Sequence, residues 1–311
     1  MIGIWALAAR RLIGLALTLL AVSFLVFALT SVLPGDQAAI MLGTSATPET
    51  LAALRAELGL DQPMLWRYAA WAGKAVTGDL GTSATYGIPA SRLILERLAV
   101  TGPLAALALA LALCLALPLA MRGARGDRGA ELAGTLVAQT GIALPNFFIG
   151  LILILAFGGI LPVGGFAGWS AIGPAILSLI LPAVALALPQ AAVLLRQARA
   201  ALKVAWHADF VRTARAKGLS EPAIMRRHVL RHAAGPILAL IGLQLSYLVA
   251  GAVLVENVFV LPGLGRLAVQ ALQQRDIVVL QACVLFFVVL VILVNALIDL
   301  VILALDPRQR A

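Results

Sequence analysis

Apolar residues in this chain come in long unbroken blocks, with little of the alternation that marks a half-buried helix or strand. The blocks cover 12–33, 98–121, 136–157, 173–195, 234–255 and 277–298. Each is close to the roughly 20 residues with which an uncharged helix crosses a hydrocarbon layer. In such a layer only helices and closed barrels satisfy their own backbone groups. No charged residue occurs between Glu131 and Arg196, and that stretch is too long for one span. Gly158-Gly159, Pro162, Gly164-Gly165 and Pro174 divide it into two helices joined by a short loop. The pattern predicts six spans, an even number, with both termini on one side.

Composition agrees. The chain is 62% hydrophobic and 12% charged, against about 25% charged in soluble domains. A soluble chain of 311 residues has no place to hide that much apolar surface. The net charge of +9 is mostly a matter of orientation. Of the 23 Lys and Arg, 16 fall on the side of the termini and 7 on the other. The basic side is expected to be cytoplasmic. Arg10-Arg11 before the first block partly resembles a signal peptide, but the block is longer than an h-region and shows no small-x-small site, so it is taken as an uncleaved span. Cys114 and Cys283 lie within predicted spans and suggest no disulfide framework.

Residues 34–97 form a long loop on the outer side. Thr47-Pro48-Glu49 predicts a helix start: a capping hydroxyl, proline in the first turn, then an acid near the helix N-terminus. Leu51, Leu54 and Leu58 keep helical spacing, and Gly59 suits a C-terminal cap. A second amphipathic piece carries Leu65, Tyr68, Ala69 and Trp71. This loop either rests on the membrane surface or receives a partner. Within the spans, Pro103, Pro118, Pro145, Pro182 and Pro189 are expected to bend helices. Gln139, Asn146, Gln190 and Gln244 are expected to bond across them. Glu256 and Asp299 lie near span ends, where water would reach them, which argues against an ion site.

The most informative polar stretch is Asp209–His232. Asp209 is placed to cap a helix ending near Lys217, where Gly218 suits a left-handed stop. Ser220-Glu221-Pro222 then starts a second helix that leads into the fifth span. Phe210, Ala214 and Leu219 give a small apolar face; Arg212, Arg215, Lys217, Arg226, Arg227 and Arg231 give a basic one. An ordinary positive loop does not require this cap chemistry. A DNA-reading helix-turn-helix would fit the charge, but its second helix is tied to a membrane span. The third reading is a docking lever, a short helix whose exposed face fits a cleft on a cytoplasmic protein and transmits that protein's motion into the spans.

The run Arg212-Thr-Ala-Arg-Ala-Lys-Gly218 resembles the coupling loop of ABC importer permeases. Asp209 through Glu221 is similar to the dipeptide/oligopeptide/nickel branch, specifically the subunit with a long periplasmic loop after its first span. Leu33-Pro-Gly-Asp36, Leu58-Gly-Leu-Asp-Gln-Pro63, Gly78-Asp-Leu-Gly81 and Leu144-Pro-Asn-Phe147 fit the same pattern. So do Glu256-Asn-Val-Phe259, Leu261-Pro-Gly-Leu-Gly265, Arg275-Asp276 and Asp306-Pro-Arg308. Two departures stand out. Arg212-Thr213-Ala214 replaces the generic Glu-Ala-Ala, as in the peptide branch, and Ile277-Val278 replace an aromatic residue and proline.

The resemblance implies an all-α polytopic protein with six transmembrane helices and the type I ABC importer permease fold. Residues 1–33 would hold the cytoplasmic N-terminus and first span, 34–97 a periplasmic loop with amphipathic helices, and 98–311 the permease core. That core would include the cytoplasmic coupling loop 196–233. It further implies transport of peptides across a bacterial inner membrane, with nickel chelates or glutathione as alternative cargo. Partners would be a second permease subunit, two ATPase subunits, a periplasmic substrate-binding protein and lipid, with no nucleic acid. The chain would catalyse nothing and bind no cofactor itself, ATP and magnesium residing on the ATPases. The expected coupling interface is Asp209, Arg212, Thr213, Ala214, Arg215, Lys217, Gly218, Leu219, Ser220 and Glu221. The competing class, an ion-coupled secondary transporter, would want mid-membrane charge and internal repeats. The chain offers neither, and a membrane enzyme would lack any acid–base or metal constellation.

Overall fold

The computed structural model describes residues 4–32, 37–43, 46–57 and 59–305. The motifs Leu33–Asp36 and Asp306–Arg308, and Leu58, lie outside those residues. The chain begins with α1 (Ile4–Val32), α2 (Gln37–Leu42), α3 (Pro48–Glu57) and α4 (Met64–Val76). Next come α5 (Ala90–Ala124), α6 (Arg128–Ala143), α7 (Asn146–Phe157) and α8 (Ile172–Trp206). Then follow α9 (Asp209–Ala216), α10 (Glu221–Ile224), a π turn (Met225–Val229) and α11 (Leu230–His232). The chain closes with α12 (Ala234–Val258), α13 (Leu264–Gln273) and α14 (Ile277–Leu305). An isolated bridge between Thr82 and Pro89 is the extended pairing among the described residues.

Five helices are long and apolar enough to cross a membrane: α5, α8, α12, and the windows Ile13–Ser31 of α1 and Ile277–Ile302 of α14. The predicted span 136–157 is not one straight helix. It breaks at Leu144-Pro145, and the segments Arg128–Gly141 and Asn146–Phe157 meet at 103°. The cause is local. Pro145 lacks an N–H and pushes Leu144 out of the helical region, to φ −102° and ψ 126°. Because Leu-Pro-Asn-Phe is itself mostly apolar, the block pattern runs straight through the break. Counting the bent pair as one span completes six. Pro103 and Pro118 lie inside α5, and Pro182 and Pro189 inside α8. The span expected to stop at 195 continues as helix to Trp206. At about 1.5 Å per residue the last turns of α8 reach well past the hydrocarbon, carrying Arg196, Arg199 and Lys203 with them.

The chain divides into two compact units. The first comprises Met1–Ala99 and Gly263–Ile292. Its core joins Leu93 and Ile94 of α5, Leu264 and Leu267 of α13, and Val279 and Cys283 of α14. A carboxylate fastens the turn before α5 to the start of α14. Asp276 accepts from the Ser83 hydroxyl at 2.5 Å, from Thr85 N at 3.1 Å and from Val279 N at 3.1 Å. The expected start of α3 is present: Thr50 N donates to Thr47 Oγ1 at 3.3 Å, and Thr47 N to Thr50 Oγ1 at 2.9 Å. Gly59 ends α3 at φ +64°.

The second unit comprises Val100–Pro262 and Leu293–Ala311. Its core is aliphatic, built around α8 with Leu186, Leu194 and Leu202 fully buried. Small residues bring helices close together, as they do wherever van der Waals packing rather than water exclusion drives association in lipid. A Cβ on Gly141 would lie 2.6 Å from the Ala192 Cβ and 3.0 Å from the Leu188 carbonyl oxygen. Two expectations fail in this unit. Glu256 is fully buried, not water-exposed, and accepts from the Thr101 hydroxyl at 2.6 Å. Gln244 is buried, yet its amide meets no partner among the described residues; Ile237 and Leu248, buried on the same helix, are aliphatic.

Candidate functional site

The polar stretch after α8 folds as a helix, a tight turn and an interrupted second helix. The α8 helix ends at Trp206, which is buried, and Ala208 is extended at φ −74° and ψ 153°. Asp209 is therefore the first residue of α9 and not its cap. Its side chain makes no capping bond, though its charge still suits the positive end of the helix. Val211 and Ala214 turn inward and are buried in the core of the second unit, with Phe210 and Leu219 half-buried beside them. Phe210 also packs against His232, ring centroids 5.0 Å apart and planes tilted by 47°.

The expected stop is present at Gly218, at φ +79°. Its N–H donates to Arg215 O at 2.9 Å, and Leu219 N donates to Ala214 O at 3.3 Å. These are the crossed bonds of a glycine-terminated helix. Ser220 occupies the cap position of α10 in extended conformation, φ −69° and ψ 147°, but its hydroxyl makes no capping bond. The second helix is not continuous into the span. A π turn interrupts it at Met225–Val229, and Ala233 breaks it at φ −84° and ψ 1° before α12 begins.

Across the turn, Arg215 is committed to an internal clamp. Its Nε lies 2.8 Å from Glu221 Oε1 and its Nη2 3.3 Å from Oε2, a two-pronged contact. The same guanidinium sits over the Trp206 ring, 5.0 Å from the centroid. The bond from Arg215 holds the Glu221 carboxyl below its usual range, helped by the nearby charge of Arg125. The reciprocal bond raises Arg215 further. Both groups are exposed, so the pair contributes geometry more than stability.

The ten sequence-predicted residues thus gather in one short motif with divided roles. Asp209, Arg212, Thr213, Lys217, Ser220 and Glu221 are exposed. Ala214 is only 5% exposed and packs inward, and Leu219 is half-buried, so these two hold the motif against the core. Arg212 and Lys217, joined by Arg226, Arg227 and Arg231, leave an exposed basic surface. Sequence reasoning missed Trp206, Arg125 and the π turn. Trp206 lies nine residues before Arg215, and no spacing rule brings a residue from the end of one helix under a side chain of the next.

Known proteins decide the family. Residues 112–311 match the model of the binding-protein-dependent transport system inner membrane component, and residues 4–90 match its N-terminal counterpart. The chain belongs to this family. It is 35% identical to a probable peptide ABC transporter permease protein of Sinorhizobium fredii, over 97% of this chain and 98% of that one. It is 36% identical to a putative peptide transport system permease protein of Brucella abortus, over 98% of this chain and 99% of that one. A glutathione transport system permease protein of Salmonella paratyphi A is also 36% identical, over 97% of each chain.

The protein is therefore a multi-pass ABC importer permease, with the all-α fold that its six apolar blocks imply. This permease has a second notable feature, in its first unit. A cleft of about 780 Å³ is lined by Phe27, Trp66 and Trp71, and by the charged side chains of Arg55, Arg67, Lys74, Asp61 and Asp79. Ile277 and Val278 stand on its wall.

Proposed function

We propose that this permease moves peptides, or a small solute of similar chemistry, across a bacterial inner membrane, driven by ATPase subunits that grip the motif around α9. The observation that carries the reading is the build of that motif. An exposed basic helix is anchored on one side by buried Val211 and Ala214 and stopped sharply by Gly218, with Arg215, Glu221 and Trp206 bracing the turn. A lever needs this combination of a free face and a fixed root, because a contact transmits motion only as far as its own joint is stiff. The chain supplies no chemistry in this scheme and binds no cofactor. ATP and magnesium belong to two ATPase subunits, a second permease subunit completes the channel, and a substrate-binding protein docks on the outer side.

In this reading residues 1–33 carry the N-terminus and first span, 34–97 the outer loop, and 98–311 the core with its coupling loop at 196–233. Both termini face the cytoplasm, as the distribution of Lys and Arg favours. The coupling is an equilibrium between inward- and outward-facing states that the ATPase biases through the contact. Peptide cargo is supported by the names of the Sinorhizobium and Brucella relatives, and the glutathione of the Salmonella relative is itself a tripeptide. The test is Gly218→Val in vesicles reconstituted with the partner subunits, measuring ATP hydrolysis and peptide uptake together. The expected result is normal insertion with uptake lost relative to hydrolysis. Unchanged uptake per ATP overturns the lever.

A further inference from the structure

The α4 helix has three faces, and one of them is unaccounted for by the contacts that hold it. The first face is packed. Tyr68 donates to the Leu20 carbonyl at 3.2 Å and lies 2.8 Å from the Ser23 hydroxyl. Its ring meets Phe24 edge-on at 5.1 Å, and Trp71 lies 5.6 Å from the Phe27 ring. The second face carries the charges of α4 and one exposed tryptophan. Arg67 and Lys74 project from it into the charged cleft, together with Trp66. The third face carries Leu65, Ala69, Ala72 and Val76, spaced i, i+4, i+7 and i+11, which is one stripe of a helix. Leu65 is 69% exposed and Val76 88% exposed. No charge lies on this stripe.

The packed face fixes how deep α4 sits. Leu20 through Phe27 belong to the apolar window Ile13–Ser31 of α1. At about 1.5 Å per residue they lie roughly 6–17 Å along the helix below Ser31. A helix bonded to that stretch is held at the level of the acyl chains and their headgroup boundary, not above the membrane. Interfacial helices insert to about 5–10 Å, with the apolar face in lipid and the charged face in water. The segregation of Arg67 and Lys74 onto the cleft face is what that position requires. Leu17, Leu25 and Leu29 of the same span are themselves more than half exposed, as lipid-facing side chains are.

We infer that α4 lies in the membrane plane as an anchor, its Leu65–Ala69–Val76 stripe immersed in the acyl chains of the leaflet that holds the C-terminal half of α1. The cleft on its opposite side then opens to water at the membrane surface. The sequence left open whether this loop rests on the membrane or receives a partner. The two faces of α4 answer it differently: lipid takes the stripe, and the cleft stays free. The inference concerns one leaflet and one helix, so it holds or fails independently of the lever at α9.

Spin labels test it on the full chain, purified with its partner subunits into lipid nanodiscs. Leu65→Cys, Ala69→Cys and Val76→Cys report on the stripe, Gln62→Cys and Lys74→Cys on the cleft; all five positions are exposed and accommodate the label. The background carries Cys114→Ser, because Cys114 is exposed, whereas Cys283 is buried. Oxygen concentrates among acyl chains and a nickel chelate stays in water. The expected result is several-fold more collision with oxygen than with nickel on the stripe, and the reverse in the cleft. Nickel access to the stripe overturns the inference by placing α4 in water. Exclusion of both reagents overturns it by placing a protein there instead.

Discussion

At the scale of single residues, the turn after α9 depends on one glycine and one charge pair. A Cβ on Gly218 would meet nothing within 4 Å, so a substitution there is resisted by backbone conformation alone. A left-handed non-glycine residue costs about 1–2 kcal/mol. Gly218→Ala should weaken hydrogen-exchange protection of α9 by that amount and leave other helices unchanged, and Gly218→Val, branched at Cβ, should weaken it more. The charge pair predicts a pH dependence. The Glu221 carboxyl is held below its ordinary value of 4.5 by the bond from Arg215. A carboxyl depressed in the folded state stabilises above its unfolded value, and that contribution is lost as pH falls through the folded one. Protection of the turn should therefore stay level from neutral pH down to the ordinary carboxylate range and fall only in stronger acid. Glu221→Gln should remove the acid step and lower protection at neutral pH, and added salt should shrink the difference because both partners are exposed. An acid step that survives Glu221→Gln would assign the titration to another group.

At the scale of elements, the helices pack through positions where a methyl group has no room. Gly141 of α6 faces Ala192 and the Leu188 carbonyl of α8, and one of those contacts is backbone, which does not swing aside. Gly141→Ala should destabilise the permease by about 1–3 kcal/mol, the usual cost of overpacking, read as a lower melting temperature in detergent. Gly173→Ala is the control, since its Cβ meets nothing within 4 Å. An unchanged melting temperature for Gly141→Ala would mean that α6 and α8 are less closely packed. Which elements were legible follows from the same physics. Apolar length located five spans because burial in lipid depends on composition summed over a helix. It passed over the break at Leu144-Pro145 because a proline flanked by apolar residues changes direction without changing hydropathy. Gly59 and Gly218 were legible as helix stops because a left-handed residue favours one amino acid. Asp209 was misplaced by one position because a cap and a first-turn acid draw on the same residue types. The clamp on Trp206 and the split of α4 into three faces were illegible, since each depends on which helix lies alongside.

At the scale of the whole molecule, every functional statement turns on which side of the membrane each loop faces. Sixteen of the 23 basic residues fall on one side of the six blocks, and translocation disfavours Lys and Arg in short loops. If the proposed orientation is right, α9 and the loop after α4 must lie on opposite sides, because they are separated by an odd number of crossings: α5, the bent α6–α7 pair and α8. Lys217→Cys and Thr77→Cys, both at exposed positions, convert this into a labelling experiment in whole cells with a thiol reagent that does not cross the membrane. Thr77→Cys should label from outside, and Lys217→Cys only after the membrane is opened. The result also checks the bent pair. If α6 and α7 formed a re-entrant loop entering and leaving on one face, the number of crossings would be even and both positions would label from the same side. Opposite labelling therefore requires the 103° break to be a kink within a crossing. It would leave α9 on the side where ATP is available, and the cleft beside α4 on the side from which cargo arrives.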